Sequence, residues 1–146
     1  MQKLKSVVIV IWSALFSWLG ILAVPVLLLV AGNIADYITG IMASKYRDEQ
    51  VSSYKGIKGI YKKIGMWIMI FIGWMMDMLI NYTVQHIGIP VSLPFIVATV
   101  VAVWLICNEI ISILENLIDM EITIPPFLMP LAKMIKGQIE DKAKIQ

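Results

Sequence analysis

The amino-acid sequence predicts an all-α integral membrane protein with three or four transmembrane helices followed by a C-terminal basic amphipathic segment. Three observations carry that prediction. The 146 residues are 60% hydrophobic, with a mean hydropathy of +0.84, which is more apolar surface than a soluble domain of this size can enclose. The apolar residues are gathered into runs long enough for helices to cross a bilayer. Between two of these runs lies the one long polar interruption, residues 45–63 (KYRDEQVSSYKGIKGIYKK), which holds Lys45, Arg47, Lys55, Lys58, Lys62 and Lys63. Short basic loops stay on the cytoplasmic side, so this segment is expected in the cytoplasm and orients the rest of the chain.

Charge is nearly balanced, with 12 Lys plus Arg against 10 Asp plus Glu. The pI of about 8.7 therefore reflects loop bias, and no nucleic-acid partner is expected. Cys107 stands alone in an apolar run, which excludes an internal disulfide and a cysteine metal site.

The N-terminal MQKLK and the apolar run after it resemble a signal peptide. The run continues through Leu27, Leu28, Leu29 and Val30 without a small-residue cleavage site, so it is expected to be retained. Residues 7–44 would reach about 57 Å as one helix, nearly twice the ~30 Å hydrocarbon core. Two solutions fit: two short crossings turning near residues 20–25, or an interfacial helix carrying Trp12 and Trp18 that leads into one span from about Val24 to Ser44. Lys3 and Lys5 favour two crossings, whereas GILAVP has no polar residue to meet the headgroups.

After the basic loop, residues 64–80 form a span with Trp67 and Trp74 as interfacial anchors and methionines as packing filler. Residues 81–92 lack Lys and Arg, as a short external loop should; Asn81-Tyr82-Thr83 is a chance glycosylation sequon and His86 a loop residue. Residues 93–115 form the next span and return the chain to the cytoplasm. Pro125 and Pro126 end that region. In residues 127–146, Phe127, Leu128, Leu131, Met134, Ile135 and Ile139 recur at helical spacing among lysines, the pattern of a helix lying on the inner membrane surface. The plainer alternative is a solvated tail.

Three acids fall in or at the edge of apolar runs: Asp36, Asp77 and Glu109. An ionised carboxylate inside a bilayer costs several kcal/mol, so such groups face helix partners or water, or sit near the headgroups. Here the plainer reading puts Asp36 and Glu109 at one headgroup region and Asp77 at the other. Gly32, Asp36 and Gly40 repeat every fourth residue, as do Gly73, Asp77 and Asn81, which places each acid on a face that can approach a neighbouring helix closely. Asn108, Ser112, Glu115 and Asp119 share one face, with Glu109 and Asn116 beside it. Glu115, Asp119 and Glu121 read as a solvated acidic helix end rather than a cation site. There is no second histidine, HExxH, GxSxG, phosphate-cradling loop or cysteine pair, so neither an enzyme nor a cofactor or metal site is expected.

Five motifs in order, IADYITGIMASKY (34–46), SSYKGIKGIYKKIG (52–65), Asp77, NEIISILENL (108–117) and IPPFL (124–128), resemble those of phage holins of the toxin-secretion and lysis type, to which the clostridial TcdE-like holins belong. The resemblance covers about residues 27–131. It implies a small protein of the bacterial cytoplasmic membrane that self-associates and permeabilises the bilayer, releasing an endolysin or a secreted toxin. The residues whose spacing points to helix association or pore lining are Asp36, Gly40, Asp77, Asn108, Glu109, Ser112, Glu115 and Asn116. The loop motif contributes Ser52, Ser53, Lys55, Gly56, Lys58, Gly59 and Lys63. The apolar helix before Val24 departs from the shorter family pattern. A small oligomeric ion channel or transporter subunit, and a membrane scaffold, are the competing readings of the same residues.

Overall fold

Each long apolar run becomes a helix in the computed structural model, which describes residues 2–47, 53–89 and 94–144. Helix α1 covers Gln2–Leu19, a 3-10 turn Gly20–Leu22, α2 Ala23–Tyr46, α3 Ser53–His86, α4 Ile96–Asp119 and α5 Leu128–Ala143. Three helices are long and apolar enough to cross a membrane: the broken Leu4–Tyr46 helix, Gly56–His86 and Ile96–Asp119.

Gly20 has φ +52° and ends α1, a conformation that costs glycine little and other residues more. From Leu4 to Leu15 every side chain of α1 is exposed. The helix meets the bundle at its end, where Leu19 packs against the core and Trp18 lies 6.5 Å from Trp74 and 6.2 Å from Phe95. Pro25 sits in the first turn of α2, where its missing N–H costs no hydrogen bond.

Helix α4 is the hub. Both α2 and α3 pack along it while hardly touching one another. The core consists of Leu22, Leu29, Met66, Ile70, Ala98, Ala102 and Leu105; Ala98, Ala102 and Leu105 recur on one face of α4, and two of the three are alanines that let helices come close. Ile34, Ile38, Ile68, Phe71, Ile72, Met75 and Leu79 are exposed. So much apolar surface is unfavourable in water and natural against lipid tails.

The helices run past the expected span limits. About two thirds of the segment read as the 45–63 loop is helical, because α2 continues to Tyr46 and α3 begins at Ser53. Ile57, Ile60 and Ile64 keep a helical period through the lysines, and that periodicity extends the helix downward. At the other end α3 continues through His86 into the stretch read as external loop, and stops at Gly88, φ +80°. There Gly88 N–H bonds Gln85 O and Ile89 N–H bonds Val84 O, a Schellman ending. Helix α4 runs four residues past the expected limit, to Asp119, and ends the same way. Glu121 holds the left-handed position at φ 60°, with Glu121 N–H on Ile118 O and Ile122 N–H on Leu117 O.

The C-terminal segment is helical and amphipathic, as its pattern predicts. It differs from the expected flat surface helix in folding back along α4. Trp104 Nε1 donates to Glu140 Oε1 at 2.8 Å, and Lys136 Nζ stands 5.3 Å over the Trp104 ring. Pro125 and Pro126 follow the turn at Glu121 in the link between α4 and α5 and keep it from continuing the α4 helix.

Candidate functional site

Two polar centres lie at opposite ends of the bundle. Lys63 and Asp77, one in each, are separated by about 21 Å along α3.

At the basic end, three helices each contribute one charge. Lys63 Nζ lies 2.8 Å from Asp36 Oδ2 and 2.5 Å from Glu109 Oε2. Asp36 and Lys63 are mostly buried, and Glu109 is 1% exposed. The approach depends on Gly32, one turn before Asp36: a Cβ there would stand 3.2 Å from Glu109 Cβ. Asn116 extends the network, with Nδ2 3.1 Å from Thr39 Oγ1 and 3.5 Å from Asp36 Oδ1. At Gly40 an added Cβ would lie 3.7 Å from the same nitrogen, an ordinary contact. Two carboxylates share one ammonium, so the centre carries excess negative charge whenever both are ionised. Among the described residues, Glu109 Oε1 and both amide atoms of Asn33 at this end, and Trp74 Nε1 at the other, are buried without a hydrogen-bond partner. Further towards the same end, Arg47 of α2 pairs with Asp119 of α4.

At the opposite end, Asp77 of α3 is 3% exposed and closes the start of α4. Val97 N–H donates to Oδ1 and Ala98 N–H to Oδ2, both at 2.9 Å. These amides belong to the first turn of α4, which leaves its donors unpaired within the helix and points its positive dipole end at the carboxylate. Phe95, at the N-cap, makes no side-chain cap of its own, so the capping group comes from another helix. One turn earlier Gly73 meets Ala98: an added Cβ would stand 2.9 Å from Ala98 Cα. Phe71, Trp74, Trp18 and Phe95 form an aromatic cluster at this end, in keeping with aromatic residues at membrane interfaces.

The three acids singled out from sequence therefore divide, Asp36 and Glu109 together and Asp77 apart. The polar stripe of α4 divides too. Ser112 and Asn116 line a cleft of about 320 Å³ with Asp36, Gly40 and Lys63, while Asn108 and Glu115 line a second cleft of about 630 Å³ between α3 and α4, with Ser112 at its edge as well. Of the loop motif, Gly56, Gly59 and Lys63 line the first cleft and Lys58 is exposed. Ser52 lies outside the described residues, as do the side chains of Ser53 and Lys55.

Sequence reasoning placed Lys63 in a solvated loop and missed that it joins two carboxylates. The signal was present: Lys63 directly precedes an apolar run, at the depth where two neighbouring helices carry their acids.

Comparison with known proteins adds an independent line. A family model described as the bacteriophage holin family matches residues 13–137. The chain is 32% identical over 143 residues to an uncharacterized protein of Listeria innocua, covering 97% of this chain and 94% of the relative. An uncharacterized protein of Listeria monocytogenes is 33% identical over 135 residues, 90% of this chain and 88% of the relative. One from Clostridium perfringens is 28% identical over 131 residues, 89% of each chain. No solved structure matches.

Proposed function

The chain belongs to the bacteriophage holin family, and on that premise we propose that it oligomerises in the bacterial cytoplasmic membrane and opens lesions through which an endolysin leaves the cytoplasm. A secreted toxin is the alternative cargo. The observation that carries this reading is the Asp36–Lys63–Glu109 centre, in which three helices are held together by charges with one carboxylate oxygen left unpaired. Buried groups in that condition cost about 1–3 kcal/mol each, so an arrangement that lets them reach a neighbouring copy or water is favoured as copies accumulate. Helices that approach through glycine and alanine, with polar groups bonding across the interface, are suited to exchanging intramolecular for intermolecular partners.

Orientation follows from charge. Lys45, Arg47, Lys58 and Lys62 gather at the end of the bundle that carries the Asp36–Lys63–Glu109 centre, and basic ends stay in the cytoplasm. The helix α5, which begins just beyond Asp119, then starts from the same side.

The test is inducible expression in a bacterium that holds a cytoplasmic endolysin, following turbidity and membrane potential together. Abrupt, endolysin-dependent lysis is expected. Depolarisation without endolysin release would replace this reading with a narrow ion-conducting hole, which the unpaired carboxylate oxygen of Glu109 also suits. No change in either signal would leave only a scaffold.

A further inference from the structure

Because α2 and α3 both pack on α4 and hardly on each other, a cleft runs between them, bridged where Lys63 reaches Asp36. Its basic end is lined by Ser44, Arg47, Gly56, Gly59, Lys62 and Asn116. Adjoining it, with Tyr37 and Lys63 common to both, is an apolar groove of about 520 Å³ walled by Ile34, Ile60, Ile64 and Trp67. The continuous groove is thus cationic at one end and hydrocarbon-like along its wall. An added Cβ on Gly56 or Gly59 would meet nothing within 4 Å, so helix packing does not require glycine at either position. Their absent side chains keep the cleft open.

We propose that this groove binds one anionic phospholipid, with its phosphodiester at Lys62 and Arg47 and an acyl chain against Ile34, Ile60, Ile64 and Trp67. Lys63 is engaged by two carboxylates and Arg47 by Asp119, whereas Lys62 forms no ion pair among the described residues. Basic pockets between transmembrane helices at a cytoplasmic face are suited to anionic headgroups; Lys58 and Lys62 stand about 28 and 22 Å from Asp77 along α3, near enough to the far side of a ~30 Å hydrocarbon core for their long side chains to reach headgroup depth. A second copy fits less well, because neighbours of equal topology bring the same cations to the same depth. Asp36 and Glu109 are held by Lys63 and Asp119 by Arg47, so among the described residues Lys62 is the cation left for the phosphate.

The full chain, purified in a mild detergent, is incubated with phosphatidylglycerol, phosphatidylcholine or glycerol phosphate, and the bound species are read by native mass spectrometry. One phosphatidylglycerol retained per chain is expected, with phosphatidylcholine lost and glycerol phosphate a poor competitor. Lys62→Gln is expected to lower retention about tenfold, on the order of one charge-assisted contact, and Gly59→Leu to lower it as well by filling the cleft. Lys133→Gln on α5 removes the same charge away from the groove and should leave retention unchanged. Helicity by circular dichroism checks folding, and should Gly59→Leu fail to fold, Lys62→Gln decides. Equal retention of the two lipids, or wild-type retention in Lys62→Gln, would mean only annular lipid and overturn the proposal. Complete displacement by equimolar glycerol phosphate would overturn the acyl half, and a lipid-free dimer abolished by Gly59→Leu would hand the groove to a second copy.

Discussion

Two ends of one bundle bury acid in opposite ways. At the aromatic end, the Asp77 carboxylate meets two backbone amides of α4 that have no other partner inside their own helix. Donors and acceptor are matched, and Gly73 fixes the helices in contact beneath them. At the basic end, Asp36 and Glu109 share Lys63, and Glu109 Oε1 is left over. A matched cap has nothing to gain from rearrangement, whereas an over-subscribed ammonium does. The first is a clamp, and the second is the element of the bundle that another copy or water can compete for.

The sharpest way to break this comparison is at Lys63. Lys63→Met leaves two carboxylates buried without their cation and is expected to lower stability in detergent by about 3–5 kcal/mol. Adding Asp36→Asn and Glu109→Gln to the same chain should restore most of the loss, because a neutral site carries no unpaired charge. Thermal melts of the single and triple variants check this. Failure of the triple variant to recover would mean that the ammonium is needed for packing rather than for charge.

The clamp predicts a smaller effect with a built-in control. Gly73→Ala drives a methyl into Ala98 Cα and should cost about 1–3 kcal/mol. Gly65→Ala, where the added carbon meets nothing within 4 Å, should be neutral or stabilise by up to about 1 kcal/mol through helix propensity. Similar melting shifts for the two would dissolve the claim of a tight α3–α4 contact at this end.

Much of this arrangement was legible in the sequence, because helical spacing reports which residues share a face. Gly32, one turn from Asp36, faces Glu109, and Gly73, one turn from Asp77, faces Ala98, contacts that fit the spacing of small residue and acid along each helix. The holin resemblance read from five ordered motifs agrees with the family match over residues 13–137. Periodicity does not report depth or pairing between helices, and this is where the reading stopped short. Lys63 belongs by composition to a polar stretch and by depth to the bundle. Asp77 capping a different helix is a contact that no spacing within α3 encodes. Gly20 breaks the first apolar run without a polar residue to mark the turn, which left its path open on sequence alone. The fold-back of α5 rests on Trp104 meeting Glu140 and Lys136, a pairing across 36 residues.

The smallest effect sharpens the contrast between the two ends of α4. Its start is capped by a side chain from α3, but its last turn closes with Glu121 in a left-handed conformation. Glu121→Gly should raise stability by about 1 kcal/mol by removing that strain, read as a higher melting temperature. A lower melting temperature would mean that the Glu121 side chain contributes more than its backbone costs.

That the basic-end centre and not the Asp77 clamp sets when the membrane opens is tested most directly by lysis timing at matched protein levels. Glu109→Gln leaves Lys63 matched to Asp36 alone and is predicted to delay endolysin-dependent lysis, while Asp77→Asn, which keeps one acceptor for the α4 amides, should leave the onset near that of the unaltered chain. Unchanged or earlier lysis in Glu109→Gln, or an equal delay in Asp77→Asn, would contradict it.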